Sequence, residues 1–485
     1  MNQPVQLASF ADYRRVFGGL WEAGTLSYAV AHFFANGGRQ AIIVRVVNSA
    51  RPATLVILAD NFVLTLEARN PGTHELLRAS VDYDNIPDVQ TDRFNLIVQR
   101  VPSADSSLVE DQEIFSKASV LPDSDRYIGH LLIQSELIRL VGEVPLKRPD
   151  RTVADTSGYP VSYIHSRDDA DDGLPLTDYD IIGSATEGTG LFALGEDEDF
   201  AMLCVPPLER DRDIGPAVFL AAARFCRRRR AMMIADAPAS WRSVAEARAG
   251  IRTLNFSSDN VAMYFPRLWL QDPLLGRESE FPACGSVAGV LAALDGRVGI
   301  WERPRPVQAA MRSGTRLSLK IGESDSLSLE AMGLNCLRRF PGGIRSVDGF
   351  HTMAGAESSK SHWKYLPIRR LTLMILRSLE HGTKWVVFEP NDELLWARVT
   401  AQVEAFLEGL FENGAFEGST PETTFFVKCD TETTRPEDIR RGRVNIIVGF
   451  APTSPGDFLS FTISQRVNET VIRPSDYDPY AVYLT

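Results

Sequence analysis

The stretch FFANGGRQAIIVRV, Phe33–Val46, decides how the chain is read. An Asn-Gly-Gly stands between an apolar, helix-spaced segment and a run of β-branched residues. A phosphate-cradling loop needs its glycines after a strand and before a helix, so that the helix-start N–H groups face the anion. Here the order is reversed. Upstream, GTLSYAVAHFFAN (24–36) carries Tyr28, Ala29, His32, Phe33 and Phe34 at roughly helical spacing. Downstream, AIIVRVV reads as a buried strand. Gly37 and Gly38 therefore suit a left-handed cap that ends the helix and turns the chain into the strand. His32, near the apolar stripe, reads as a core or edge histidine.

Working outward, SFADYRRVFG (9–18) is a helix with Ser9 as N-cap and Gly18 as stop. Residues 51–150 change character. TLVILA, FVLTLEAR, LLRASVDY and RFNLIVQRV are short, partly alternating strands between turn residues, with one helix expected around 126–141. This segment reads as a β-rich insertion domain. Residues 151–190 are rich in Asp, Gly, Ser and Thr and read as a linker or long surface loop. Residues 191–345 alternate strand and helix, which implies βαβ units and a mainly parallel sheet. In that stretch FAMLCVPP and NVAMYFPRLWL each read as one strand. Residues 346–465 continue with the amphipathic helix KYLPIRRLTLMILRSLEHG, the strand TKWVVFEP, a long helix capped by Asn391 or Asp392 and closed by Gly414, and three further strands. Residues 466–485 are polar and extended, a tail expected not to fold alone. The fold class is α/β with α+β elements, and residues 1–50 form the first part of a core domain.

The totals restrict function. The 485 residues carry a net charge of −12 and 44% hydrophobic content, an ordinary globular balance that argues against non-specific nucleic-acid or anionic-membrane binding. Cys204, Cys226, Cys284, Cys336 and Cys429 are scattered singly, without a CxxC pair, and read as reduced, buried thiols. The first residues, MNQPVQLASF, show neither a basic nor an apolar signal region. No stretch approaches the length of an apolar membrane span.

A reaction centre is not legible. GxSxG, HExxH, GxxxxGK[ST] and GxGxxG are all missing. GSATEGTG (Gly183–Gly190) resembles a phosphate loop by glycine count only. HTMAGAESSKSHWKY (His351–Tyr365) gathers His, Ser, Glu and Lys without an orienting acid, and a polar loop before a helix explains it more simply. Asp168, Asp169, Asp171 and Asp172 lack calcium-loop spacing and read as a solvated acidic loop. No catalytic, cofactor-binding or metal-binding residue is assigned. The run Arg227–Arg230, after Arg224, either matches the dipole of its helix end or forms an ion-pair surface for an acidic partner.

Several ordered blocks together resemble the contractile tail sheath family, which includes phage tail, R-type bacteriocin and extracellular contractile injection system sheaths. They are NQPVQLASFADYRRVFGG with LSYAVAHFFANGGRQAIIVRV, then FAMLCVPP through SVAGVLAALDGRVGIWERP, then GIRSVDGFHTM, KYLPIRRLTLMILRSLEHGTKWVVFEPNDELLWARV and GRVNIIVGFAPTSPGDFLSFTISQ. The resemblance implies a non-enzymatic subunit with an outward-facing insertion domain and an extended terminal arm. It would polymerise with itself, with paralogous sheath subunits as further neighbours, around an inner tube, and meet baseplate and cap proteins. It would bind no nucleic acid and insert in no membrane. It would be made in a bacterial cytoplasm and leave within a phage tail or injection particle. Family members carry an N-terminal arm with a Pro-Gly-Val-Tyr-like segment before this starting point, so residues 466–485 become the expected arm. Inter-subunit strands are expected near 442–449 and 458–465, with Val444, Ile446, Ile447, Phe458, Phe461, Ile463 and Val471 as candidates. Tube contact is expected from Arg369, Arg370 and Arg377 on one helix or Arg398 on the next. The alternatives are an α/β enzyme or nucleotide-binding protein, and a non-polymerising adaptor at the baseplate or cap.

Overall fold

A computed structural model describes residues 2–73, 75–152, 163–354, 362–453, 458–467, 469–475 and 477. Two compact units are present, one of residues 1–3 and 44–194, the other of 4–43 and 195–485. The β-rich segment is thus inserted into a host unit whose sequence it interrupts.

The host unit begins with β1 (Pro4–Leu7), α1 (Phe10–Phe17), α2 (Leu26–Ala35) and β2 (Ala41–Val44), with β1 pairing β2. Ser9 caps α1 by accepting from the Asp12 amide, and Gly18, at φ +88°, closes it. At the end of α2 the Gly37 amide donates to the Phe34 carbonyl and the Gly38 amide to that of Phe33, at 3.2 and 3.1 Å. Those two bonds are the pattern of a Schellman motif, and Gly37 supplies its left-handed residue at φ +100°.

The inserted unit is antiparallel. β3 (Thr54–Ala59) and β4 (Phe62–Ala68) form a sheet with β8 (Ile138–Val141). β5 (Leu77–Asp82), β6 (Arg93–Arg100) and β7 (Asp111–Ser119) form another with β9 (Ile164–His165). Alternation buries Leu55, Ile57, Leu64, Leu66, Phe94, Leu96 and Val98 in one core. The helix expected over 126–141 is only α3 (Ile128–Leu131) with one 3₁₀ turn, after which the chain enters β8. Three aspartates of the expected acidic loop, Asp169, Asp171 and Asp172, are not free. Asp169 accepts from the Thr54 amide and hydroxyl, Asp172 from both groups of Thr73, and Asp171 from the Gly173 amide. These carboxylates fasten residues 169–173 to the start of β3 and to the turn after β4. The unit also holds α4 (Asp178–Ile182).

In the host unit, β10 (Met202–Leu203), α5 (Pro216–Arg228), β11 (Met232–Asp236), α6 (Val244–Leu254) and β12 (Val261–Phe265) begin a parallel sheet. The strand expected over 260–270 breaks at Pro266, which has no N–H for a ladder. Beyond it, β13 (Leu268–Asp272) joins β14 (Arg277–Phe281) and β15 (Arg316–Leu317) in a separate antiparallel sheet. After α7 (Cys284–Asp295) and α8 (Glu323–Ala331), β16 (Leu334–Arg339) pairs parallel to β12, and β17 (Arg345–Val347) closes the sheet antiparallel. α7 lies against α2 with almost no side chain between them. A Cβ at Gly285 would stand 2.2 Å from the Ala29 carbonyl oxygen, and one at Gly289 2.3 Å from that of Phe33. The Gly-xxx-Gly spacing on α7 thus lets two backbones touch over one helical turn.

The C-terminal part of the host unit has α9 (Leu366–Gly382) and α10 (Glu393–Glu412) on a sheet ordered β18 (Phe425–Lys428), β19 (Val444–Phe450), β20 (Leu459–Arg466), β21 (Glu469–Pro474). The short helices α11 (Pro421–Thr424) and α12 (Pro436–Arg440) flank β18. TKWVVFEP is no strand: Lys384–Phe388 is a 3₁₀ turn, burying Val386 and leaving Phe388 80% exposed. Asp392 caps α10 through the Leu395 amide, and Asn391 instead accepts from the Trp396 indole. Leu371, Ile375 and Leu379 of α9 and Val399, Val403 and Leu407 of α10 meet Ile446, Val448, Phe461 and Ile463. Each such side chain contributes about 1.5–3 kcal/mol by leaving water.

Candidate functional site

Of the polar residues that resembled reaction chemistry, the described His351 is held by structural partners. Glu330, 5% exposed, accepts from the Phe350 amide at 3.0 Å and from Arg303 at 3.2 Å, and lies 2.8 Å from His351 Nδ1. Burial opposes its ionisation, but these partners outweigh it and hold the carboxyl below its usual range. Asn335 brackets His351 by accepting from its amide and donating to its carbonyl. Residues 355–361 of the polar loop lie outside the described residues. In GSATEGTG the Ser184 amide donates to Thr189 Oγ1 and the Gly190 amide to Asn2 Oδ1, so the loop spends these donors on its own unit. Burial raises the thiols of Cys336 and Cys429 to about 12, leaving them poor nucleophiles. Among the described residues no cluster of His, Cys, Asp or Glu could hold a metal ion, and no helix is long and apolar enough to cross a membrane.

His32 is mostly enclosed, its ring edge-on to Phe281 at 5.1 Å. Burial first, then Arg312, depresses its pKa to about 4, so it is neutral near pH 7. Beside it Asp272, fully buried, accepts from Tyr28 at 3.1 Å, from Arg210 at 2.6 Å and from the Leu274 and Leu275 amides. Sequence reasoning missed this knot because its members lie far apart in the chain. An open groove of about 770 Å³ next to it is lined by Arg210, Trp269, Arg277, Glu278 and Glu280. Arg210 is paired to Asp272 and Glu278 to Arg316, so these two charges of the groove are committed within the unit.

The expected inter-subunit strands need correction. Val444, Ile446, Phe461 and Ile463 are buried, and β19 and β20 each have neighbours on both sides. Among the described residues the edge strands of this sheet are β18 and β21, each paired on one side only. Ile447 lies opposite Lys428, and Phe458 stacks on Phe426 at 5.7 Å. Val471 pairs with Ser464 of its own chain, so the first residues of the expected arm complete the sheet. Residues 478–485 lie outside the described residues.

The arginines expected at the tube divide in two groups. Arg370 grips Asp295 with both terminal nitrogens, Arg369 pairs with Asp259 at 3.1 Å and donates to Asn260, and Arg377 pairs with Asp199. All three are largely buried, and their charge is spent inside the unit. Arg398 on α10 stays 55% exposed, 3.7 Å from Glu389. Near it Phe388 and Leu394 are 80% and 72% exposed. In the arginine run, Arg229 stacks on Phe200 and Phe225 and Arg230 pairs with Glu380 at 2.7 Å, whereas Arg224, Arg227 and Arg228 remain on the surface.

The region from α9 through β20, including the edge strand β18 and α10, matches a known family model. Residues 358–466 fit the family model of the phage tail sheath C-terminal domain. Over that stretch the chain is similar to tail sheath proteins. A relative named putative prophage major tail sheath protein, from Pseudomonas aeruginosa (strain UCBPP-PA14), is 25% identical over 290 residues, covering 58% of this chain and 70% of the relative. The crystal structure of a sheath tail protein from Listeria innocua shares the fold with a TM-score of 0.65 at 12% identity, over 96% of this chain and 92% of that one. A sheath tail protein from Desulfitobacterium hafniense gives a TM-score of 0.55 at 12% identity, over 96% and 93%.

Proposed function

We propose that the chain is a non-enzymatic sheath subunit that polymerises with copies of itself around an inner tube and contracts to drive that tube through a target envelope. The observation that carries this reading is the sheath C-terminal family match falling on a domain whose sheet, among the described residues, ends in two strands paired on one side only, β18 and β21. An open edge takes an added strand through main-chain hydrogen bonds, and such bonds persist through a rigid-body shift of the domain. The partners follow the same reading: further copies along the edges, the tube against α10 near Arg398, and baseplate and cap proteins at the polymer ends. Gly37 and Gly38 turn the chain within the core domain. The work of contraction is stored at assembly as a metastable packing and needs no nucleotide.

The experiment is expression of the full chain, with negative-stain microscopy of the product. Long cylinders are expected, together with their loss when residues 459–474 are removed. Contraction must proceed in nucleotide-free buffer. A chain that stays a small oligomer and binds a small ligand saturably would favour the enzyme alternative. Contraction that required ATP would sink the stored-energy mechanism.

A further inference from the structure

α10 carries an electrostatic arrangement that disfavours its own helix. Glu404, Glu408 and Glu412 follow one another at four-residue spacing, all exposed, and none has a hydrogen-bond or ion-pair partner among the described residues. Like charges at that spacing repel. Glu412 also stands in the last turn, where the macrodipole is negative and no basic residue offsets it. A helix that breaks both local rules on one exposed stripe marks a place where a cationic surface is expected. Ala401 and Ala405 stand beside the stripe, also exposed, and leave it accessible.

The same unit holds a surface of opposite sign. On α5, Arg224 and Arg227 are exposed, three residues apart on one face, without an ion pair among the described residues. Leu220, 44% exposed, stands one turn before Arg224. Neighbours three or four residues apart on a helix face lie about 5–6 Å apart, so the two stripes match in spacing as well as in sign.

We propose that Glu404, Glu408 and Glu412 on α10 form an ion-pair contact with Arg224 and Arg227 on α5 of a second copy of the chain. The proposal rests on the reading of the chain as a self-assembling subunit. The contact joins two different patches, so it is heterologous. Such contacts repeat head to tail and build rings or helical filaments rather than closed dimers. On a chain of net charge −12, where copies repel overall, a local contact of opposite charges also sets the orientation in which they approach.

The test is charge reversal in the full-length chain. Glu404→Lys with Glu408→Lys and Glu412→Lys, or Arg224→Glu with Arg227→Glu, must each raise the protein concentration needed for cylinders by about tenfold or more. All five reversals in one chain must bring it back to within about threefold of wild type. The milder Glu408→Gln and Arg227→Gln must each raise it about threefold, with the double variant no worse than either single, so a misfolded reversal variant does not decide the outcome. Unchanged assembly in either reversal, or no rescue in the combined chain, overturns the contact. Cylinders that form normally but no longer hold a co-expressed tube protein overturn it in favour of the tube as occupant. A wild-type chain that forms no cylinders sinks the polymer reading itself, and the contact with it.

Discussion

Replacing Gly285 and Gly289 with alanine tests the backbone contact between α7 and α2. An ordinary carbon–oxygen contact needs more than 3 Å, and the new methyls would meet carbonyl oxygens at 2.2 and 2.3 Å. No rotamer change relieves a clash with backbone, so the helices must separate by about 1 Å, which falls at the upper end of the roughly 1–3 kcal/mol cost of overpacking. Alanine returns about 1 kcal/mol of helix propensity. The net loss is then about 1–2 kcal/mol per site, and less than the sum for the pair because one separation relieves both clashes, still a large share of a typical domain's stability. The assay is urea unfolding of each variant, with amide exchange in residues 26–35 as the local readout. Gly409→Ala in α10 is the control, because nothing lies within 4 Å of its added methyl. It must stabilise by up to about 1 kcal/mol. If Gly289→Ala stabilised to the same degree as Gly409→Ala, the close-approach argument would be refuted.

Asp272→Asn, which leaves Arg210 without its counter-charge, is expected to cost about 3–5 kcal/mol in urea unfolding, with Tyr28→Phe costing about 1 kcal/mol. Burial opposes ionisation of Asp272, but bonds from Arg210, two amides and Tyr28 prevail and lower its pKa. A depressed acid stabilises the fold above its unfolded value of about 3.9 and loses that contribution as pH falls through the folded value, so acid unfolding of wild type should be steeper than that of Asp272→Asn. In the insertion, Thr54→Val and Thr73→Val should each cost about 0.5–1.5 kcal/mol and raise amide exchange at 169–173, because each removes the hydroxyl donor to an aspartate. Gly37→Val places a β-branched residue at φ +100° with its Cβ 2.8 Å from that of Ala293. It should cost about 1–3 kcal/mol and reduce cylinder yield, and an unchanged melting temperature would remove the cap from the account.

The cap after α2 was legible because its cause is local: an apolar helix, a glycine pair and β-branched residues in immediate succession. Ser9 and Gly18 around α1 were readable for the same reason. Short apolar runs were not. TKWVVFEP fits a strand by composition, yet the chain leaves α9 in a 3₁₀ turn, and period alone does not separate the two over five residues. NVAMYFPRLWL looked continuous because its apolar content is continuous, while Pro266 divides it between two sheets. The site readings failed where partners are remote. Arg369, Arg370 and Arg377 look like a cationic face until Asp259, Asp295 and Asp199 are brought to them by the fold. β19 and β20 look like edges until β18 and β21 flank them. Two signals were present and could have been used: the four-residue spacing of Gly285 and Gly289, and the unbroken glutamate series on α10.

The docking of α2 on α7 also sets a timetable for synthesis. About 250 residues separate Ala35 from Cys284, so at roughly 5–20 residues per second the ribosome makes α2 some 12–50 s before its partner helix exists. In that interval the inserted unit is finished, while Tyr28 and Ala29, which meet Phe281 and Gly285 in the final structure, have no partner surface. The nascent chain therefore passes through a state with one folded unit and an apolar helix waiting ahead of it. That state is where chaperone binding, and any failure of folding in the cell, should concentrate.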